Sequence, residues 1–319
     1  MTGGKGFCNM TISRRVNNEY TRRINLAVDY INSNVSENLS LKEVASAACF
    51  SKYHFHRIFK AIVGETLNAF VERLRIEKSV FYVFLRDEPD LTGIAMKLGF
   101  SSPSAFSRAF KKRFAVSATS ARTMGFKCFS KICKAKSNNG KAKQTEKGYN
   151  SSSAVTGGKG GNLKNVTVEI RELSELRVAY VRETGPYDES AGRAFPKLCK
   201  WAWPRNFLNK KHSLIGVSYD DPGVTDTKKC RYDACVTVPE STKADAVVNV
   251  RKIPGGLHAV FHCKLGKKDF NKAYSYAYGK WLPENGFLPL DRPAYDVYLK
   301  DGRKDGIFEY EICVPIEKY

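Results

Sequence analysis

One segment of this chain is present twice, with the two copies about 50 residues apart. The first copy is Val44-Ala45 through Phe50-Ser51 followed by Phe55, Arg57, Phe59 and Lys60, and the second is Ile94-Ala95 through Phe100-Ser101 followed by Phe106, Arg108, Phe110 and Lys111. Each copy has small apolar residues at helical spacing, a short break, and a second helical run with inward-facing aromatic residues. The pattern predicts two helix-turn-helix units in an all-α domain.

The second helix of each copy keeps a polar outer face. The residues on these faces are Tyr53, His56, Arg57 and Lys60 in the first copy, and Ser104, Ser107, Arg108, Lys111 and Lys112 in the second. Such side chains reach base edges and phosphates when a recognition helix enters the major groove. Any two packed helices with a polar outer face would give one such pattern. Two copies with arginine and lysine at matching positions favour DNA binding.

The segment between the two copies sets the distance between them. Ser40 and Glu43 have the spacing of a capping box at the start of the first helix of the first copy. Ser51 and Ser102 are the expected N-caps of the second helix in the first and second copy. Residues 66–86 predict one long helix between the units. At about 1.5 Å rise per residue, such a helix can hold two recognition helices about 34 Å apart, which is one turn of DNA.

At these residues the chain resembles the AraC/XylS family of transcription regulators, over about residues 24–124. The resemblance rests on Ser51-Lys-Tyr-His-Phe-His-Arg-Ile-Phe-Lys60 and on the run from Ile94-Ala95 to Phe114. It implies that Tyr53, His56 and Arg57 in the first recognition helix, and Ser104, Ser107 and Arg108 in the second, read bases. The partners of such a regulator are double-stranded DNA and RNA polymerase.

Four positions depart from the family pattern. Cys49 stands where the family usually has a turn glycine, and Ala115, Ala118 and Ala121 stand where Gly, Pro and an aromatic residue are common. A residue other than glycine held at positive φ costs about 1 kcal/mol. We therefore expect the first turn to be strained or of another type.

Positive charge is concentrated in the front half of the chain. The 319 residues contain 53 Lys and Arg and 32 Asp and Glu, a net charge of +21. Residues 1–160 contribute +16 of this, and the rest contribute +5. Such a surplus attracts phosphate without sequence preference. Charge alone would also suit RNA or a membrane surface, but its coincidence with the two helix pairs favours double-stranded DNA.

The sequence also predicts a cytoplasmic location. It has no run of about 18 apolar residues, which a membrane span requires, and Met1 to Asn9 lack the apolar core of a signal peptide. Nine cysteines are scattered without a Cys-x-x-Cys pair, and His54 and His56 point to different faces of a helix. We expect reduced thiols, no metal site, no cofactor and no membrane partner.

Composition divides the chain into four parts. Residues 1–20 are predicted to be an N-terminal tail, and residues 21–125 the DNA-binding domain. Residues 126–163, rich in Lys, Ser, Asn and Gly, carry too little apolar surface to fold and predict a flexible basic linker. Residues 164–319 form a second domain.

The second domain repeats its own order of elements. Strands at 168–172 and 177–181, a helical stretch ending at Trp203-Pro204 and a strand at 232–239 are followed by strands at 248–252 and 258–261, a helical stretch ending at Trp281-Leu-Pro283 and a strand at 310–315. The two halves predict an α+β domain in which one antiparallel sheet has pseudo-twofold symmetry and helices on one face. A ligand cleft is expected along the pseudo-twofold axis.

This half resembles the GyrI-like effector-binding domain over residues 164–319. The motifs are Gly185-Pro-Tyr-Asp-Glu189, Leu214-Ile-Gly-Val-Ser-Tyr-Asp-Asp-Pro222, Cys230-Arg-Tyr-Asp-Ala-Cys235, Ile253-Pro-Gly-Gly256 and Glu311-Ile-Cys-Val-Pro315. The resemblance implies a hydrophobic cavity that is lined by aromatic residues, holds one carboxylate and accepts lipophilic, often cationic molecules. Glu311 matches that carboxylate, and Glu309 is the alternative. The candidate ring contacts are Tyr187, Trp201, Trp203, Tyr219, Tyr276, Trp281 and Tyr298.

The sequence therefore predicts a multidomain, DNA-binding transcription regulator that responds to a small effector and is not an enzyme. Two alternatives concern the second domain, because some similar stand-alone proteins hydrolyse reactive small molecules and another relative binds gyrase. The chain has no Gly-x-Ser-x-Gly elbow to support a hydrolase, and no catalytic residue is predicted.

Overall fold

The computed structural model describes residues 4–84, 90–138, 166–266, 269–300 and 306–318, without the side chains of residues 4–18, 127 and 134–138. Its front half is helical. The helices are α1 (Gly4–Ser33), α2 (Leu41–Ala47), α3 (Lys52–Val63), α4 (Leu67–Phe84), α5 (Leu91–Lys97), α6 (Pro103–Phe114) and α7 (Ala118–Asn138). The predicted tail, residues 1–20, is helical from Gly4 onward. Among the helices of the described ranges, none has both the length and the apolar character that a bilayer crossing needs.

The pairs α2–α3 and α5–α6 are the two predicted helix-turn-helix units. The capping box is present, because the Ser40 hydroxyl accepts from the Glu43 backbone N–H at 3.2 Å and the Glu43 carboxylate accepts from the Ser40 N–H at 2.9 Å. Ser102 caps α6 by accepting from the Ala105 N–H at 3.1 Å. Ser51 is the N-cap residue of α3 as predicted, but its side chain makes no capping hydrogen bond.

Helix α4 joins the hydrophobic cores of the two units. Its first half, with Phe70 and Leu74, packs in a cluster with Phe55 and Phe59 of α3. Its second half, which includes Val80, packs with the aromatic residues of the second unit. The buried aromatic residues of that unit are Phe106, Phe110, Phe114 and Phe129. One continuous helix therefore contributes to the cores of both units, as the sequence of residues 66–86 predicts.

The turns between the paired helices both need a left-handed residue. Gly99 has φ +74° in the second unit, and Cys49 has φ +54° at the same place in the first. A Cβ on Gly99 would lie 2.4 Å from the backbone oxygen of Ser36, so no side chain fits there. Cys49 is exposed and adopts this left-handed conformation although it is not a glycine. The expected strain at the first turn is therefore present.

We predict that Cys49→Gly raises the free energy of unfolding by about 1 kcal/mol, because glycine adopts positive φ without a Cβ clash. Urea unfolding of the full chain, followed by circular dichroism, measures the change. Gly99→Ala is the matched substitution in the other unit and should be strongly destabilising. An unchanged or lowered free energy of unfolding for Cys49→Gly would show that the first turn is not strained.

The predicted start of the linker at residue 126 is wrong. Helix α7 continues to Asn138 with a kink at Gly125, and it buries Phe129 and Cys133 in the core of the second unit. The sequence pattern failed here because these two residues are surrounded by lysines and serines. The rest of the predicted linker, residues 139–163, lies outside the described residues.

The rear half is an antiparallel sheet with helices, as predicted. Its elements are β1 (Val166–Leu173), β2 (Leu176–Thr184), α8 (Tyr187–Ala202), β3 (Leu214–Ser218), β4 (Arg231–Thr237), β5 (Asn249–Ile253), β6 (Gly256–Gly266), α9 (Phe270–Tyr276), α10 (Leu282–Glu284), β7 (Phe287–Pro289), β8 (Tyr295–Lys300) and β9 (Ile307–Lys318). A π-helical turn, Ala277–Trp281, connects α9 to α10.

The sheet order β1-β6-β9-β8-β3-β4-β2-β5 has the predicted pseudo-twofold symmetry, with the β8–β3 pair at its centre. The first strand of each half lies at the outer edge of the other half, because β1 pairs with β6 and β5 pairs with β2. Helix α8 packs on the residues around Ala179 and Val181. Helix α9 packs on those around Phe261 and Ile312, on the same face of the sheet.

Candidate DNA interface and effector cavity

All nine residues predicted to contact DNA are exposed. They are Tyr53, His56, Arg57 and Lys60 on α3, and Ser104, Ser107, Arg108, Lys111 and Lys112 on α6. Helices α3 and α6 bury Phe55, Phe59, Phe106 and Phe110 on their opposite faces. Tyr53 is 71% exposed. Both recognition helices thus present a polar, mostly basic face to solvent, and their contacts with bases remain a prediction.

Arg75 of α4 ties the two helix-turn-helix units together, which the sequence did not reveal. Its guanidinium donates to the carbonyl oxygens of Val35 at 2.7 Å and Glu37 at 2.5 Å, both before the first unit, and of Gly99 at 2.7 Å in the turn of the second. Burial lowers the pKa of Arg75 from its ordinary value. These hydrogen bonds hold the two units in one arrangement on α4.

A cavity of about 1360 Å³ lies where the two halves of the chain meet. In the rear half, α8, α9 and the part of the sheet between them form its wall. The aromatic residues of the rear half that line it include Tyr187, Phe195, Tyr232, Tyr274, Tyr278 and Tyr298. Phe81 and Phe84 of α4 and Phe126 of α7 line it from the front half. The helix that carries both DNA-binding units is therefore part of the cavity wall.

Asp296 is a buried carboxylate in this cavity. Asp296 lies on β8 and is 5% exposed, and its carboxylate accepts a hydrogen bond from the Tyr274 hydroxyl at 2.9 Å. Burial raises the pKa of Asp296 to about 7, although the hydrogen bond from Tyr274 opposes the shift. Within the described ranges, no basic side chain pairs with it. It is therefore an acceptor whose charge is available for a ligand.

Three other acidic groups of the cavity wall are paired with basic side chains. Glu77 is paired with Arg73 at 2.9 Å and Asp220 with Arg231 at 2.6 Å. Asp291 is paired with Lys78 at 3.0 Å. These pairs neutralise the carboxylates locally, so Asp296 differs from them in being both buried and unpaired with a cation.

Two tyrosine hydroxyls meet where the cavity reaches the sheet. The hydroxyl oxygens of Tyr232 and Tyr298 are 3.2 Å apart above Gly216 of β3. A Cβ on Gly216 would lie 2.2 Å from the Tyr232 hydroxyl oxygen, so a larger residue would push this ring into the cavity. Glycine at this position therefore helps to keep the cavity open.

Glu311 and Glu309, the predicted carboxylates, do not line the cavity. Their strand alternates, so that Tyr310 faces the helices while its two acidic neighbours face the other side of the sheet. Glu311 accepts from Arg171 at 2.7 Å and lies 3.1 Å from the Nδ1 of His262. Both glutamates are thus separated from the cavity by the sheet.

The predicted ring contacts are divided between the cavity and other places. Tyr187, Tyr219 and Tyr298 line the cavity. Trp201 donates its indole N–H to Asp245 at 2.6 Å, and Trp203 is 76% exposed. Tyr276 and Trp281 pack against Phe261 with ring centroids 6.4 and 5.4 Å apart. Four of these seven residues therefore lie outside the cavity wall.

Comparison with known protein families matches both halves of the chain. Residues 44–124 match the family model described as a helix-turn-helix domain. Residues 167–317 match the model described as a GyrI-like small molecule binding domain. The chain joins an AraC-type helix-turn-helix domain to a GyrI-like domain. In the terms of these two families, the cavity belongs to the GyrI-like domain and is covered by α4 and α7 of the AraC-type domain.

Curated relatives cover about half of this chain. The DNA gyrase inhibitor of Yersinia enterocolitica is 29% identical over 154 residues, which are 47% of this chain and 97% of the relative. The DNA gyrase inhibitor of Escherichia coli K12 is 28% identical over 153 residues, which are 47% of this chain and 96% of the relative. These alignments leave about half of this chain unmatched.

Three solved structures are also similar. The EcmrR C-terminal domain is 17% identical and covers 48% of this chain and 99% of its own, with a TM-score of 0.41. An EcmrR–DNA complex is 16% identical and covers 84% of this chain and 83% of its own, with a TM-score of 0.44. An AraC-type regulator from Chromobacterium violaceum is 22% identical and covers 32% of this chain and 90% of its own, with a TM-score of 0.30.

Proposed function

We propose that this protein is a sequence-specific, DNA-binding transcription regulator whose affinity for DNA responds to a lipophilic cation. The observation that carries the proposal is Asp296, a buried carboxylate without a cationic partner in the described ranges, inside an aromatic cavity whose wall includes α4. A ligand bound there would contact the helix that supports both recognition helices. As a regulator of this kind, the protein would act in the cytoplasm with RNA polymerase as a partner.

The DNA-binding part of the proposal is supported by charge and exposure. The front half carries most of the net positive charge, which supplies the salt-sensitive attraction to phosphate that precedes specific docking. Arg57 and Arg108 are exposed at matching positions of α3 and α6. An arginine of a recognition helix commonly reads guanine through two hydrogen bonds in the major groove.

The ligand class follows from the cavity chemistry. Transferring an ionised carboxylate out of water is costly unless a charge or hydrogen bonds compensate for it. A cationic ligand would supply the missing charge beside Asp296, and the tyrosine rings would add about 0.5–2 kcal/mol of cation–π attraction. A volume of about 1360 Å³ leaves room for several rings. Tetraphenylphosphonium is a suitable probe because its charge does not depend on pH.

Protonation of Asp296 gives a prediction about pH. The carboxylate is neutral below its pKa of about 7 and ionised above it, and the cation binds the ionised form. We predict that affinity for tetraphenylphosphonium rises about tenfold between pH 6 and pH 8 and then levels off. Isothermal titration calorimetry measures the change. Asp296→Asn should remove the pH dependence, and a flat profile for the native protein would contradict the role of Asp296.

The names of the curated relatives favour a second candidate function, in which the GyrI-like domain binds a protein. DNA gyrase inhibitors match this chain over about half of its length. Inhibition of gyrase supercoiling by the full-length protein would support this candidate. Turnover of activated esters, lost in Asp296→Asn, would instead support the hydrolase alternative.

Selection from random duplexes tests the proposal. The full-length protein should enrich one sequence with two half-sites about 10 base pairs apart, since the two units lie on one helix. Quantitative mobility shifts at physiological salt then give the affinity for this duplex and for a scrambled one. Failure to enrich any sequence from a well-folded preparation would contradict the proposed function.

A further inference from the structure

Residues 219–225, here called the coupling loop, lie between the cavity and the AraC-type domain. The loop follows β3, and all seven of its residues line the cavity. Its other side enters the front half, where Val224 is packed in the hydrophobic core of the second helix-turn-helix unit. Tyr187 fixes the loop at Asp220, whose backbone N–H donates to the tyrosine hydroxyl at 2.9 Å. A ligand that fills the cavity would therefore press on residues that also pack with the DNA-binding half.

Glu77 connects this loop to the second recognition helix. The carboxylate lies in the middle of α4 and its side chain is 7% exposed. It accepts hydrogen bonds from the Thr225 hydroxyl at 3.0 Å and from Arg113 at 3.0 Å. Arg113 lies in the last turn of α6 and also donates to the backbone oxygen of Val224 at 3.0 Å. The four residues form a closed circuit through the coupling loop, α4 and α6.

Burial makes this circuit sensitive to displacement. Thr225 is 4% exposed, so water cannot easily replace its hydroxyl as a donor to Glu77. A buried acceptor that loses a partner carries a desolvation penalty. If a ligand moves the coupling loop, Glu77 and Arg113 must either move with it or lose these hydrogen bonds. Because Arg113 lies in the last turn of α6, either change reaches the end of that helix.

A second contact between the halves lies apart from the cavity. Lys229 donates to Glu65 at 2.8 Å, just before α4, and its side chain is 44% exposed. Lys229 does not line the cavity and is not part of the coupling loop. It therefore offers a matched control, because its removal breaks a contact between the halves but leaves Glu65 paired with Arg73 at 2.7 Å and leaves the hydrogen bonds of Thr225 and Arg113 to Glu77 in place.

We propose that ligand occupancy of the cavity is transmitted to the second recognition helix through the hydrogen bonds of Thr225 and Arg113 to Glu77. The inference rests on the proposed function, since it requires a ligand that changes DNA affinity. It identifies α6, rather than α3, as the recognition helix that responds to the ligand.

The test measures how saturating tetraphenylphosphonium changes the dissociation constant of the full-length protein for its selected duplex. The variants are Thr225→Val, which keeps the shape and removes the hydroxyl, Thr225→Ser, which keeps a hydroxyl, and Lys229→Met as control. In the native protein the probe should change DNA affinity at least about fivefold. We expect Thr225→Val to reduce the effect to less than about twofold, and Thr225→Ser and Lys229→Met to retain it. Calorimetry gives the affinity of each of the four proteins for the probe, and the DNA measurement uses the concentration that saturates each protein.

Three outcomes would overturn the inference. In the first, the probe still changes DNA affinity fully in Thr225→Val. In the second, the change is lost in both Thr225→Val and Thr225→Ser. In the third, it is also lost in the control, Lys229→Met. The unfolding midpoint of each variant shows whether a loss comes from misfolding, and the serine variant decides the matter if valine is not tolerated. A native protein that binds the probe and the duplex independently would instead contradict the proposed function, and the inference with it.

Discussion

Asp296→Asn is expected to lower the affinity of the protein for tetraphenylphosphonium by about 10- to 100-fold, equivalent to about 1.5–3 kcal/mol. The substitution keeps the size of the side chain and its hydrogen-bond acceptor for Tyr274, and it removes the charge. Because the cavity wall has no other carboxylate in the described ranges that is both buried and unpaired, nothing nearby can take its place. Calorimetry at pH 8, where Asp296 is ionised, gives the two dissociation constants.

Two controls make this expectation specific. Triphenylphosphine oxide presents similar rings without a net charge, and its affinity should be nearly unchanged in Asp296→Asn. Glu311→Gln removes a carboxylate on the opposite face of the sheet, where Arg171 and His262 surround it, and it should leave cation binding as in the native protein. A loss of cation affinity in Glu311→Gln but not in Asp296→Asn would restore the assignment that the family resemblance implied.

Arg57→Ala and Arg108→Ala are each expected to cost about 1–3 kcal/mol of affinity for the selected duplex. The two arginines are exposed at corresponding positions of the recognition helices, so the double variant should lose roughly the sum, as sites in separate units rarely couple. Fluorescence anisotropy on the selected and scrambled duplexes measures the loss.

Removal of a positive charge elsewhere separates base reading from simple attraction. Lys210 is exposed in the rear half, and Lys210→Ala should change DNA affinity little. Arg57→Ala and Arg108→Ala should reduce the preference for the selected duplex over the scrambled one. An equal loss on both duplexes would show that the arginines contact phosphates only.

The repeated segments allowed most of the fold to be predicted. Helical periodicity around Phe55 and Phe59, and again around Phe106 and Phe110, is local information, and it fixed both helix-turn-helix units. The internal repeat of the rear half predicted one antiparallel sheet with pseudo-twofold symmetry and helices on one face. By contrast, Phe129 and Cys133 of α7 looked like isolated apolar residues in a basic segment, and only the tertiary core shows why they are buried.

The cavity was predictable as a type of site but not in its residues. Successive residues of a strand face opposite sides of the sheet, and the register with the neighbouring strands decides which of them face the helices. A register shift of one residue would move every side chain of the strand to the other side. Asp296 is paired with Ile312 on β9, and Glu311 is paired with Val297 on β8. The sequence around Asp296, Tyr295-Asp-Val-Tyr298, did contain a signal, because one acidic residue stands among apolar and aromatic neighbours. The contribution of α4 to the cavity wall depends on how the two halves pack, which no local pattern contains.

The central claim is that one molecule links a ligand cavity to a DNA-reading surface. The most direct measurement is the dissociation constant of the full-length protein for its selected duplex, with and without saturating tetraphenylphosphonium at pH 8. We predict a difference of at least about fivefold. Identical constants, with calorimetry showing the cation bound, would contradict it.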